Sequence, residues 1–193
     1  MKIAITGHTS GIGKYLFDEL SKDHEVIGYS RTNMFDISDM DDRMKILMDV
    51  MEQDPDIFIN NAFSSVNVHA QTEIFKGIFN AWERNENKTI INIGTKGTLD
   101  KESERPYITS KTILRDLHLE KLVKVGRKCK LIHVSPSYTD TPMIKDIKLI
   151  LGREPVKLTV KEVGDIIIMC INMPKHVEIS DIMISRTDEA DYW

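Results

Sequence analysis

Apolar residues fall along this chain in two alternating kinds of run. Short, nearly unbroken runs predict strands at Lys2 to Thr6, Glu25 to Tyr29, Met34 to Ile37, Asp56 to Ile59, Thr89 to Ile93, Leu131 to Val134 and Ile179 to Ser185. Between them lie stretches whose apolar groups recur three and four residues apart, which predicts helices. Ile12, Leu16 and Leu20 mark one over Ile12 to Ser21. Met40 to Met51 is a second, stopped before Asp54-Pro55 because proline restricts the residue ahead of it. Ile74, Phe75, Ile78, Phe79 and Trp82 stripe a third, Thr72 to Arg84. Tyr107 to Val125 is a long helix with Pro106 near its start, where the missing N–H costs nothing, and Gly126 at its end. Lys161 to Ile171 completes the set.

Strands that interleave with helices and lack polar alternation imply a parallel sheet covered on both faces. The expected architecture is one doubly wound α/β domain over residues 1–193, with no repeat, low-complexity tract or linker. The polar tail from Arg186 to Trp193 is expected to be frayed, or docked at a subunit contact through Tyr192-Trp193.

Composition narrows the function classes. Lys plus Arg number 26 against 30 Asp plus Glu, a net charge of −4. With no basic run, this argues against nucleic acid or an anionic membrane as the main partner. No apolar stretch reaches the roughly 18 to 20 residues that span a bilayer. The first strand begins at Lys2, so no signal peptide is expected. Cys129 and Cys170 match no metal or disulfide spacing and read as small buried apolar groups in a reducing cytosol. A cytoplasmic protein without metal is expected. At 193 residues there is no room for a large appended substrate domain.

The first strand runs into Thr6-Gly7-His8-Thr9-Ser10-Gly11-Ile12-Gly13 and then a helix. Glycines there allow a tight turn and let main-chain N–H groups approach a pyrophosphate at the helix N-terminus. The spacing lacks the Lys-Ser/Thr of a Walker loop, so ATP or GTP is not expected.

T-G-x-x-x-G-I-G resembles the cofactor fingerprint of the short-chain dehydrogenase/reductase family, and further landmarks follow in that family's order over nearly the whole chain. The resemblance implies a Rossmann fold with seven strands in the order 3-2-1-4-5-6-7 and an NAD or NADP cofactor. It places Gly7, Thr9, Ser10, Gly11, Ile12 and Gly13 at the pyrophosphate. Asp36-Ile37 resembles the pair that holds the adenine. No acid stands at Tyr29, Ser30 or Arg31 to accept from a ribose 2′-OH. A serine hydroxyl and a guanidinium at Ser30 and Arg31 suit a 2′-phosphate instead, so NADP(H) is expected over NAD(H). Asp36 comes only five positions after Arg31, so the family's helix between strands two and three is missing.

Asn60-Asn61-Ala62 resembles the family's N-N-A-G, with Phe63 replacing the glycine. Tyr107 and Lys111 form its Y-x-x-x-K pair, four apart on one helix face. A nearby ammonium is expected to lower the phenol's pKa and let Tyr107 exchange a proton with the substrate oxygen. By resemblance, Lys111 also holds the nicotinamide ribose. Thr95 stands for the serine that polarises the carbonyl, with Thr98 as a competitor. Ile74 falls where the family has a relay asparagine, so that relay looks absent, and Asn67 and Asn80 nearby read as capping or surface residues. Pro136, Thr139 and Thr141 resemble the P-G-x-x-x-T contact to the carboxamide and pyrophosphate, with Ser137 in place of glycine, which asks for an ordinary negative φ. Pro142 to Pro155 corresponds to a mobile substrate lid.

These readings imply an NADPH-dependent carbonyl reductase or alcohol dehydrogenase. Phe63, Ile74 and Ser137 favour a non-catalytic dinucleotide-binding or regulatory protein, and an epimerase or dehydratase needs a lobe the length does not allow. Helices 72–84 and 107–125 resemble the family's paired subunit-contact helices, and the five large apolar groups of the first exceed what one buried face often needs, so a homodimer or homotetramer is expected.

Overall fold

A computed structural model describes residues 1–100, 103, 105–144 and 155–188. The terminal Tyr192-Trp193 and most of the expected lid lie outside the described residues. Six strands form one parallel sheet: β1 (Lys2–Thr6), β2 (Glu25–Tyr29), β3 (Ile57–Asn60), β4 (Thr89–Ile93), β5 (Lys130–Pro136) and β6 (Asp181–Ile184). Their order is β2-β1-β3-β4-β5-β6. The crossovers are α1 (Gly11–Leu20), α2 (Met40–Gln53), α3 (Ala70–Trp82), α4 (Pro106–Leu122) and α5 (Val160–Ile171).

Strand side chains alternate between two cores, as a pleat requires. Ile3, Ile5, Ile57, Ile59, Ile91, Ile93, Ile132 and Val134 pack with Leu16 and Leu20 of α1 and Val163 and Ile167 of α5. Ala4, Phe58, Ile90 and Leu131 face the other way, onto Ile46 and Val50 of α2, the α3 stripe and Leu114 of α4. All five large apolar groups of α3 are buried within this one chain. The stripe that suggested assembly is thereby accounted for by the monomer's core.

The sheet has six strands, not seven. Residues 34–37 do not form a strand beside β2. A parallel neighbour needs a crossover of about a dozen residues, and only four stand between Tyr29 and Met34. The chain instead makes a 3-10 turn at Arg31–Asn33 and passes Met34 in the left-handed region at φ 67°. The Phe35 N–H closes this turn on the Ser30 carbonyl at 2.9 Å. β2 is therefore an edge strand, and the remaining strands keep the expected order.

Two glycines of the first loop have left-handed backbone, Gly7 at φ 74° and Gly11 at φ 55°. Gly13 has a different reason: a Cβ there would stand 2.1 Å from the Gly7 carbonyl oxygen. Gly13→Ala is expected to lower stability by about 1–3 kcal/mol through overpacking against backbone that cannot yield. Urea denaturation of the variant measures this, and an unchanged midpoint would contradict the packing.

Candidate active site

The carboxyl ends of the strands open into one cleft of about 540 Å³, within the usual range for small-molecule sites. Gly7, Thr9, Ser10, Gly11 and Ile12 line one wall, Ser30 to Thr32 and Phe35 to Ile37 the outer end, and Thr95, Tyr107 and Lys111 the inner end. Asn61, Ala62, Pro136, Thr139 and Thr141 lie between them. Seventeen of the nineteen residues singled out from sequence thus meet in one cavity. Gly13 and Asn60 do not line it. Gly13 supports the loop from behind, and Asn60 is fully buried in the sheet.

The glycine loop is held by main-chain and amide contacts. Gly7 N–H donates to the Tyr29 carbonyl at 2.7 Å, and Asn61 Nδ2 donates to the Thr6 and Gly7 carbonyls, each at 3.1 Å. Ser10 stands at the N-cap of α1 but makes no side-chain cap bond. The loop and helix start leave main-chain donors directed at the cleft, a cradle for phosphate. No acidic residue occupies its first turn.

At the outer end, the Ser30 hydroxyl is engaged locally, donating to Asn33 Oδ1 at 3.0 Å and sharing a 2.7 Å bond with Thr32. Arg31 is exposed at the rim. Asp36 accepts from Ser38 N and Oγ at 2.9 and 2.8 Å. Arg43, unremarked in the sequence, fastens this loop. Its Nη1 donates to the Ile37 and Ser38 carbonyls at 2.8 and 2.9 Å, and Nη2 lies 2.8 Å from Glu73. No motif announces such a residue, because its partners are main-chain oxygens.

At the inner end, Thr95 rather than Thr98 stands beside the phenol. Thr95 lines the cleft with Tyr107, close enough to lower its pKa, whereas Thr98 does not line it and its Oγ1 turns back to the Thr95 carbonyl at 3.0 Å. Phe63 lines the cleft with its ring edge-on to Tyr107, centroids 5.0 Å apart. Ser137 has no positive φ, so replacing a glycine there brings no strain. Asn67 accepts from His69 N at 2.9 Å ahead of α3, and Asn80 is exposed.

The pair's electrostatics differ from the sequence expectation. Burial raises the Tyr107 pKa, and the Thr95 hydrogen bond opposes it only in part. Lys111 is not among the groups that lower it; its Nζ donates to the Ile93 carbonyl at 2.7 Å and to Gln71 Oε1 at 2.8 Å. Burial also brings Lys111 down from 10.5 to about 7. Both groups are therefore pushed toward their neutral forms. Gln71 escaped the sequence reading because no spacing rule links α3 to α4.

No protein-family model matches the sequence, and no curated protein matches it. Solved structures do match. A 3-alpha-hydroxysteroid dehydrogenase from Pseudomonas sp. B-0831, complexed with NADH, is 20% identical over 95% of each chain, with a TM-score of 0.76. The fold is that of the short-chain dehydrogenases. A short-chain dehydrogenase from Sphingobium yanoikuyae in complex with NADPH has a TM-score of 0.71 at 16% identity, over 94% of this chain and 87% of that one. The closed form of a serine dehydrogenase complexed with NADP⁺ gives 0.72 at 15% identity, over 97% and 96%. Among the described residues, no helix is long and apolar enough to cross a membrane, and no group of His, Cys, Asp and Glu is arranged to hold a metal.

Lys111 links this short-chain dehydrogenase fold to pH. Between about 7 and 10.5 the unfolded chain keeps a lysine proton that the native state has lost. Stability therefore rises with pH across that window, and the penalty of the buried charge is fully present below it. Relative to wild type, Lys111→Met is expected to be most favourable at about pH 6 and to lose that advantage by about pH 10. Urea denaturation of both proteins across this range measures the difference, and a constant difference would refute the shift.

Proposed function

We propose that the chain is a member of the short-chain dehydrogenase/reductase family, an NAD(P)-dependent oxidoreductase acting as a carbonyl reductase with NADPH preferred. The observation that carries this is the junction of the glycine cradle with Thr95, Tyr107 and Lys111 in one cleft. The structurally similar dehydrogenases complexed with NADH, NADP⁺ or NADPH support the cofactor class.

The residues suit the group. Gly7 and Gly11 occupy backbone space that a side chain would strain, and the cradle's N–H donors suit a pyrophosphate. Thr139 and Thr141 line the same path. When bound, the nicotinamide supplies the hydride. The protein's part is to hold the carbonyl and supply the proton. Thr95 and Tyr107 line the same end of the cleft, and their hydroxyls would polarise a carbonyl oxygen bound there. Tyr107, kept protonated by burial, donates as negative charge builds on that oxygen. Lys111 has one N–H left after Ile93 and Gln71, which suits a ribose hydroxyl. Resting protonation of Tyr107 favours the reducing direction.

NADPH preference rests on Arg31 and on Ser30, Arg31 and Thr32 at the outer end, where no carboxylate replaces them. We place the enzyme in the cytoplasm, as a homodimer or homotetramer that meets through the outer faces of α3 and α4. With Ser30 committed to Asn33, Arg31 is the principal candidate for a 2′-phosphate.

Tyr107→Phe is expected to cut kcat by about 10²-fold or more while leaving NADPH affinity within about twofold. Turnover with a panel of aldehydes and ketones, beside NADPH fluorescence titration, measures both; unchanged turnover would overturn the assignment. Arg31→Ala is expected to weaken NADPH binding about tenfold or more and leave NADH nearly unaffected. Equal effects on the two cofactors would refute the preference.

A further inference from the structure

Two lysines are buried in this sheet, one at each end. Lys88, below the amino ends of the strands, has a carboxylate partner: Nζ lies 2.6 Å from Asp54 Oδ1 and donates to the Asp54 and Pro55 carbonyls. Lys111, 2% exposed, has neutral acceptors, the Ile93 carbonyl and Gln71 Oε1. A buried ammonium without a counter-ion depends strongly on each oriented dipole it meets.

The Gln71 amide has only one workable orientation. Its Nε2 donates to the Asn60 carbonyl at 2.6 Å and the Ile93 carbonyl at 3.2 Å. Two carbonyls thus claim its N–H groups, and the oxygen must face Lys111. The arrangement continues inward. Asn60 Nδ2 donates to the Gln71 carbonyl at 3.0 Å and to Asn92 Oδ1 at 2.9 Å. Asn92 Nδ2 is then left to face His118 Nδ1 at 3.3 Å, which makes that nitrogen an acceptor. The His118 proton sits on Nε2, 3.0 Å from the Ser180 carbonyl. Every donor–acceptor sense in this chain follows from its neighbour, from Ser180 to Lys111.

We infer that Gln71 is a positioning residue for Lys111: its amide oxygen, locked by Asn60 and Ile93, aims the ammonium at the cleft and sustains its charge. This rests on the oxidoreductase reading for its link to turnover, though not for the contact. Among the described residues, the titratable groups that face Lys111 are Tyr107 on its own helix and His133 on β5, with His118 behind His133. Burial holds the two histidines neutral and the phenol protonated, so none supplies the missing counter-charge. From α3 the partner is Gln71. Amides do not relay protons readily, so the chain orients Lys111 and does not conduct.

The test uses Gln71→Met, which keeps the volume, and Gln71→Leu as a second apolar variant. Lysine side-chain NMR signals of the unliganded protein, with Lys111 assigned by Lys111→Met, give its titration directly. The wild-type midpoint is expected near 7. Loss of the charge-stabilising acceptor is expected to lower it by about one pH unit or more in either variant that retains a cooperative thermal melt. The pH profile of kcat should move in the same direction, with KM for the carbonyl substrate changed less than kcat. A Lys111 midpoint unmoved in the folded Gln71→Met protein would overturn the inference. The expected displacement in a protein that transfers no hydride would overturn the proposed function and leave Gln71's hold on Lys111 standing.

Discussion

An ammonium buried without a counter-ion among the described residues is the constraint around which the inner half of this cleft is built. Lys111 must lose most of its water to reach the carboxyl ends of the strands. The compensation comes from β4 through the Ile93 carbonyl and from α3 through Gln71. These contacts are possible only because the strand and helix are packed in register, with Asn60 opposite Asn92 across β3 and β4. The polar chain therefore lies inside an otherwise apolar layer, between Phe75 and Ile90 on one side of the sheet and the site on the other. Most of its donors and acceptors are paired within the chain, Asn60 Oδ1 being left without a partner, and this pairing is what allows amides and an imidazole at these depths.

The outer half of the cleft answers a different constraint, the loss of a strand. β2 ends the sheet, so the adenine side has no flanking strand to stand on. The 3-10 turn, the Asp36-Ser38 hydrogen bonds and the Arg43 clamp replace it. Arg43 in turn is held by Glu73 of α3, the same helix that carries Gln71. One helix thus supports both ends of the cleft, two residues apart in sequence. The fold has trimmed its periphery without detaching the loops from the core.

How much of this could be read from the sequence follows from the range of each interaction. Strands β1, β2 and β4 and the Thr89–Ile93 boundaries were readable because apolar runs are local. The glycine loop, Tyr107 and Lys111 were readable because their spacing within one element carries the chemistry. Residues 34–37 misled because an apolar run records burial, not pairing, and Ile37 is buried without a neighbouring strand. The α3 stripe is buried within this chain against α2 and α4, a packing that its spacing alone could not show. Gln71 and Arg43 were invisible, since each is defined by main-chain carbonyls on other elements. The Lys111–Tyr107 interaction was visible but its sign was not, because spacing shows proximity and says nothing of desolvation.

That sign bears on how the site works. If the ammonium pulled directly on the phenol, Tyr107 would rest as phenolate and the cleft would be poised to take a proton. Here Nζ lies 5.7 Å from the Tyr107 ring and is turned toward α3 and β4. Burial then acts on each group separately and drives both toward neutrality. A neutral phenol beside Thr95 is a donor, and Phe63 edge-on to its ring keeps that end of the cleft dry. Charge must then enter with what binds: a ribose hydroxyl to occupy the last N–H of Lys111, a developing alkoxide to draw the Tyr107 proton. With the phenol neutral and Lys111 poised near 7, ligand binding itself shifts the protonation of the residues that act on the ligand.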